Sequence, residues 1–332
     1  MEFLTFALKG NYKRFYNNLK EVSKKNGKSP VFMFIDAAIS SVFVGSGLTD
    51  YLNYKFYDRT YKERREYVTI KYGSEFYAKY SPKDLATNLR IKTNFHKYYS
   101  KYTKREYYIP EFGLEKLKDF LSRNEVFMIK PTDGLAGTDV KKMSVKDIET
   151  PEKFYDYLKE KNMFLEEFII QDAEWGKICL NSVNTIRAMT RIINGKAELF
   201  YAAARIGNGT AVVDNFHQGG VGVRIDMDKG TLIGNAISKD LEEVECHPAS
   251  GVKFDGFKIP YWDEIKQMVC EAAMVNPDVK VVGWDVAISN KGPLLIEANR
   301  RPGFDLVQVL ENKGTKYMLE EVKKDSSCQK EV

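Results

Sequence analysis

Cysteine and histidine are scarce in this chain, with 4 and 3 among 332 residues. Cys179, Cys246, Cys270 and Cys328 form no Cys-x-x-Cys pair, so neither a zinc site of ordinary ligand spacing nor a disulfide framework is expected. Free thiols in a reducing, cytoplasmic compartment are the simpler expectation. Proline (10) and glycine (23) are too few for a collagen-like or low-complexity chain. Excess charge is small: 51 basic against 46 acidic residues give +5, with no long basic block, which argues against nucleic acid as a partner. Long apolar runs are missing too. The longest stretch, 30–48, is interrupted by Asp36 and by serines and glycines. It falls short of the roughly 20 mostly apolar residues of a spanning helix and reads as a buried helix. The opening MEFLTFALKGNYKR has too short an apolar run for a signal peptide.

What is present is ordinary globular material, 43% apolar and 29% charged, at a length that suggests about two domains. Residues 1–86 are rich in Tyr, Phe, Lys and Arg. Phe15, Leu19 and Val22 have helical spacing. In 51–67, Leu52, Phe56 and Tyr57 fit one helix face, with Arg59, Arg64 and Arg65 outside it, so a core face and a solvated face are expected. From Glu125 the texture alternates. Strands are expected at 126–131, stopped by Pro131, at 164–170, 185–193, 197–204 and 220–226. Helices are expected at 151–162 and from Pro260, and a strand pair at 281–288 and 294–299.

Four groups of residues carry chemistry. Lys130 ends a strand and is followed at once by a small-residue loop with Gly134, Gly137 and Thr138. Backbone N–H groups in such a loop can face phosphate oxygens, and the lysine adds a point charge. A surface lysine before an ordinary turn is the plainer reading of this motif alone. In the second group, Glu297 and Asn299 lie two apart and leave the same face of one strand, where Asp285 on a partner strand can meet them. Two carboxylates and an amide oxygen suit Mg²⁺, which takes its remaining ligands from water and phosphate; exposed acids balanced by Arg300 and Arg301 are the other reading. Third, Glu166, Glu167, Phe168 and Ile169 at a strand end can offer backbone groups to an adenine edge and a carboxylate to a ribose, a signal that is weak by itself. Fourth, Arg187, Met189 and Arg191 share a strand face, followed by Arg205, Asn215 and His217. Arginines in a cleft bind carboxylate or phosphate in bidentate fashion, while His217 beside glycines is more often structural than a base.

These groups, in this order, resemble the ATP-grasp superfamily, and most of all its sugar-transfer-associated branch, whose genes sit among those for surface polysaccharides. The segments DYLNYKFYDRTYKERREYVT and NLRIKTNFHKYYSKYTKREYYIP match the branch's N-terminal region and first lysine segment. IRAMTRIINGKAELFYAAARIGNG, NFHQGG and GWDVAISNKGPLLIEANRRPG are also similar to ribosomal-S6-type glutamate ligases. The resemblance implies an α+β fold with two lobes clamping a nucleotide, behind a helical aromatic-rich N-terminal region (1–86). The small lobe would span 87–165, the C-terminal lobe 166–322 and a polar tail 323–332. It implies that Lys92 and Lys130 hold ATP phosphates, that Gly134–Thr138 is the phosphate loop, and that Glu166–Ile169 is the hinge at adenine. Asp285, Glu297 and Asn299 would ligate Mg²⁺ or Mn²⁺, and Arg187 would stabilise the transferred phosphoryl. Asn215, Arg205 and Arg301 would lie near phosphate or substrate. Two departures stand out: Ile91 precedes Lys92 where many of these enzymes have an acid, and Arg300-Arg301 replaces small residues of the glutamate ligases. The implied activity joins a small-molecule or glycan-linked carboxylate to an amine through an acyl phosphate. A kinase on the same scaffold and a nucleotide-binding accessory protein are the alternatives. A peripheral membrane or glycosyltransferase contact through residues 1–86 stays open.

Overall fold

The computed structural model of the chain describes residues 12–132, 140–209 and 219–325. The first helix, Tyr12–Asn26, buries Phe15 and Leu19 as their spacing predicts. Ser29 then caps the helix Pro30–Val44 by accepting from the Phe32 N–H, proline opens it, and Gly45 at φ 72° ends it. This helix is not the buried one expected. Met33, Ala37 and Ser40 are buried, but Val31, Phe32, Ile35, Ile39, Val42 and Phe43 are exposed. Its orientation is fixed at the border of that face, where Asp36 accepts bonds from Arg64 (2.7 and 2.9 Å) and from the Tyr51 hydroxyl (2.8 Å).

The single helix expected over 51–67 is also broken up. Leu48–Asn53 is followed by a 3₁₀ turn, Phe56–Asp58, and by Tyr61–Arg64. Lys55 at φ 52° breaks the first piece, and Thr60 with Glu63 caps the last in a reciprocal box. Arg64 therefore turns inward, 7% exposed, rather than onto a solvated face.

Among the described residues the strands form two antiparallel sheets. The smaller contains β1 (Tyr107–Tyr108), β2 (Val126–Pro131), β3 (Lys141–Ser144) and β4 (Met163–Glu167) in the order β1-β4-β2-β3. Leu117, Phe120 and Leu121 of helix Leu114–Arg123, and Phe154 and Leu158 of helix Pro151–Glu160, pack on its Phe127, Ile129, Met163 and Leu165. The strand expected over 164–170 ends at Glu167, so Phe168 and Ile169 lie beyond it.

The larger sheet contains β5 (Thr185–Ile193), β6 (Lys196–Ile206), β7 (Val221–Asp226), β8 (Thr231–Ser238), β9 (Glu243–Val244), β10 (Val281–Ser289) and β11 (Gly292–Asn299). Their order is β11-β10-β5-β6-β7-β8-β9. Asn194 and Gly195, at φ 51° and 74°, make the tight turn joining β5 to β6. Ile186, Ala188 and Ile192 point to one face with Trp284, Val286 and Ile288, against helix Trp262–Ala273. That helix opens two residues after Pro260, because Tyr261 takes a left-handed φ of 57°. Met189, Tyr201 and Ala203 point to the other face, under helices Asp305–Glu311 and Tyr317–Lys324 and under Phe76, Tyr77 and Tyr80 of helix Ile70–Tyr80. Ala86, Leu89, Phe95, Tyr99 and Tyr102 belong to the core of this large sheet, although they precede the small one in sequence.

Candidate active site

The β10–β11 hairpin brings the acidic residues together. Asp285 pairs directly with Glu297, and Gly283 with Asn299. A bulge intervenes: Asp285 opposes Glu297 but Val286 opposes Leu295, leaving Ile296 as the extra residue. Without it Glu297 would share the face of buried Leu295, since side chains alternate with period two. With it, Leu295 and Ala298 enter the core while Glu297 and Asn299 turn to the face of Asp285. Asn299 Nδ2 lies 3.3 Å from Glu297 Oε1.

On the other side of β10, Asp285 pairs with Arg187 of β5. Arg187 Nε donates to Asp285 Oδ1 at 2.6 Å, and Arg205 Nη2 reaches Asp285 Oδ2 at 2.8 Å. Burial penalises the Asp285 charge, but the two guanidiniums outweigh it and hold the carboxyl far below the usual range. Glu297 differs. It is open to solvent yet surrounded by protein, as on a cleft floor. Burial and then the charge of Asp285 push its carboxyl up. Both guanidiniums bond Asp285, so Glu297 is left beside a like charge. Gly283 lets the following loop approach: a Cβ there would lie 2.7 Å from Pro302 Cβ. That loop is tied down by the Tyr77 hydroxyl, which donates to Pro302 O at 2.7 Å, and by Arg300, which donates to Ser81 O at 2.8 Å.

A second charged group forms in the small sheet, where Lys130 of β2 lies beside Glu166 of β4. Glu166 is 2% exposed and accepts from Lys130 Nζ at 2.5 Å, from Arg105 Nη1 at 2.8 Å and lies 2.7 Å from His96 Nε2. Burial opposes its ionisation, but Arg105, Lys130 and the bond to His96 prevail and lower its pKa well below the ordinary carboxylate value. Lys92, first residue of helix Lys92–Tyr98, donates to Pro131 O at 3.1 Å, one residue from Lys130.

The carboxylates expected near a ribose are therefore both engaged by the protein. Glu166 is locked in this cluster, and Glu167 accepts from Lys291 Nζ (2.8 Å) and the Glu106 N–H (3.1 Å). Phe168 lies under the Lys142 ammonium, 4.4 Å from its ring centre, and Ile169 is half-buried. Arg301 is exposed, beyond the end of β11. Gly134, Gly137, Thr138, Asn215 and His217 lie outside the described residues. Arg105 and His96 were not singled out by sequence. The KREYY and NFHKYY contexts carry no signal, since Glu166 lies 61 and 70 positions away from Arg105 and His96; in the fold Tyr107 and Phe164 pack around His96. Among the described residues no three His, Cys, Asp or Glu side chains gather as a metal cluster. The donor set here is two carboxylates and an amide, which fits a hard divalent cation that completes its shell with water and phosphate.

A two-lobed, mainly antiparallel α+β fold with an acid pair on one sheet and a strand-end lysine on the other defines a nucleotide-grasping protein. The chain belongs to the sugar-transfer associated ATP-grasp family, whose model matches residues 55–324. No curated protein matches it. Solved structures similar to it include the ATP-grasp ligase PsnB complexed with a phosphomimetic variant of its minimal precursor, Mg and ADP. There identity is 14% and the TM-score 0.42, over 74% of this chain and 61% of PsnB. The D-alanyl-alanine synthetase A of Vibrio cholerae O1 biovar eltor is 12% identical, TM-score 0.40, over 74% of this chain and 67% of that one. The D-alanine–D-alanine ligase of Helicobacter pylori is 14% identical, TM-score 0.44, over 72% and 62%. The chain thus spans about three fifths of the length of the PsnB structures it matches.

Proposed function

We propose that this protein is an ATP- and Mg²⁺-dependent carboxylate–amine ligase. The observation that supports the reading is the convergence of Asp285, Glu297 and Asn299 on one face of β10–β11, with Arg187 and Arg205 on Asp285. Glu297, raised by burial and by the neighbouring Asp285 charge, lies where both arginines are taken up by Asp285, and a divalent cation there would offset the like charges while neutralising phosphate oxygens.

The chemistry asked of the chain is positioning and charge neutralisation. A carboxylate is a poor acyl donor because oxide is a poor leaving group. Its oxygen attacks the γ-phosphorus of ATP, the bond to ADP breaks, and an acyl phosphate forms. An amine then attacks the acyl carbon, phosphate leaves, and the amine proton passes to solvent or a base. Lys130 and Lys92 would hold phosphates at the small sheet, with Gly134–Thr138 as the phosphate loop. Arg187, bonded to Asp285, would stabilise the transferred phosphoryl. Phe168 and Ile169, just past β4, would border the base. Arg301, free of a strand, would face the acceptor. The family's description supports a setting in surface polysaccharide or glycoconjugate biosynthesis, with a small or glycan-linked carboxylate as substrate; Mn²⁺ would serve in place of Mg²⁺.

The test is a panel of sugar acids and amino acids with amine acceptors, read as Mg²⁺-dependent ADP release and by mass spectrometry. An amide product is expected. A phosphoester product would instead make the protein a kinase, and ATP binding without turnover on any pair would make it an accessory nucleotide-binding protein.

A further inference from the structure

Helix Pro30–Val44 carries the most exposed apolar face of the described residues. Val42 is 72% exposed, Phe43 68% and Phe32 64%. At about 100° per residue, these three with Val31, Ile35 and Ile39 fall within an arc of about 120° that contains no polar side chain. The helix cannot roll to hide them, because Met33, Ala37 and Ser40 are packed and Asp36 is held by Arg64 and Tyr51. Soluble surfaces rarely leave so continuous an apolar face uncovered.

Both flanks of this crest pair an aromatic ring with a cation. On one, Tyr16 stands edge-on to Phe34 with ring centres 6.1 Å apart, and the Lys20 ammonium lies 4.9 Å from the Tyr16 ring. On the other, Tyr61 stands edge-on to Phe43 at 6.5 Å, and the Arg65 guanidinium lies 5.1 Å from the Tyr61 ring. Rings with one apolar and one wet edge, and cations on long stems, are the side chains that settle at a lipid–water boundary. Charge is distributed to match. Residues 1–86 carry 15 basic and 9 acidic side chains, and the remaining chain 36 and 37, so the net positive charge lies in the stretch of sequence that contains the crest.

We infer that this crest docks the protein on an anionic lipid surface, with helix Pro30–Val44 lying in the plane of the interface. Its 15 residues span about 22 Å, short of the roughly 30 Å of a hydrocarbon core. The preceding helix meets it at 119°, and no single helix among the described residues is long and apolar enough to cross a membrane. A second copy of the chain fits the crest less well, because it would bring a like-charged surface against Lys20 and Arg65. The inference is independent of the proposed ligase chemistry.

Co-sedimentation of the full-length chain with phosphatidylcholine vesicles, with and without phosphatidylglycerol, tests it. Binding at least about tenfold tighter to the anionic vesicles is expected, weakening as salt rises. The double variant Phe32→Asp/Phe43→Asp is expected to lose at least about tenfold in partitioning, with unchanged helical content and melting midpoint. Lys20→Gln/Arg65→Gln keeps the apolar face and is expected to lose several-fold on anionic vesicles only. Ile35→Asn serves as a milder probe should the double variant fold poorly. No binding to either vesicle, or binding untouched by these variants, overturns the inference. So does self-association in sedimentation velocity that the Phe32/Phe43 variant abolishes without vesicle binding. Binding by a chain lacking residues 1–11, where the full chain fails to bind, would make that segment the cover of the crest and equally overturn it.

Discussion

Two carboxylate sites, one in each sheet, divide their positive partners differently. In the small sheet a single carboxylate, Glu166, is met by Lys130, Arg105 and His96. In the large sheet two carboxylates, Asp285 and Glu297, are met by Arg187 and Arg205, both of which bind Asp285. In the first group the Glu166 carboxylate is fully engaged, while His96 Nδ1 and Arg105 Nε and Nη2 are buried without a hydrogen-bond partner among the described residues. The second leaves Glu297 beside a negative neighbour, with Asn299 at 3.3 Å as its hydrogen-bond donor. A carboxylate ringed by donors anchors its neighbours, whereas one left beside a like charge is a place where an external cation would be favoured. In the proposed ligase the cation would sit at β10–β11, and Lys130 of β2 would hold phosphate.

The contrast is most sharply probed at Glu297. Glu297→Ala is expected to lower Mg²⁺-dependent ADP release at least about 100-fold while the circular dichroism spectrum stays that of the parent; full activity in that variant would remove the metal assignment. Next comes the anchor. Glu166→Ala leaves Lys130, Arg105 and His96 without their shared acceptor, and urea unfolding is expected to show a loss of about 3–5 kcal/mol. A loss no larger than that of an exposed ion pair would break the comparison, since Glu166 would then not be the anchor. A smaller effect is expected at the presented lysine: Lys130→Ala should weaken ATP binding by about tenfold, or about 1.4 kcal/mol, in a titration of nucleotide affinity.

The smallest effects concern pH, and the two groups carry opposite signs. Glu166 has its pKa lowered from 4.5, so its contribution is fully present above that value and is lost as pH falls towards its folded pKa. Glu297 has its pKa raised from the same 4.5, so its ionisation costs stability as pH rises through that value to its folded pKa. Without Mg²⁺, Glu297→Gln is therefore expected to melt about 2 °C higher than the parent at neutral pH, with the difference vanishing below pH 4.5. A melting difference constant across pH would show that Glu297 is not the strained member of its pair.

Much of this arrangement was legible in the residues. Strands 126–131 and 185–193 have the expected boundaries, because alternation is local and Pro131 and the Asn194-Gly195 turn punctuate it. The shared face of Glu297 and Asn299 followed from their spacing alone. The partners of Glu166 were not legible. They come from residues 36, 61 and 70 positions away, and no pattern in a single strand encodes such meetings. The exposed crest was missed for a related reason: an apolar composition says that a helix prefers to be covered but not how many neighbours reach it. Arg64, read as solvated from its place on a helical wheel, was misplaced because Lys55 and Thr60 break the helix on which that wheel was drawn.

By itself, then, the sequence determined the alternating elements, the punctuation between them and the residue types able to hold phosphate and a hard cation, since each depends on neighbours a few positions apart. Tertiary structure alone decided which carboxylate is saturated and which is left wanting. That outcome rests on a one-residue bulge at Ile296, which turns Glu297 towards Asp285, and on charges folded in from distant segments. Electrostatic balance depends on distance in space, which the chain order does not contain.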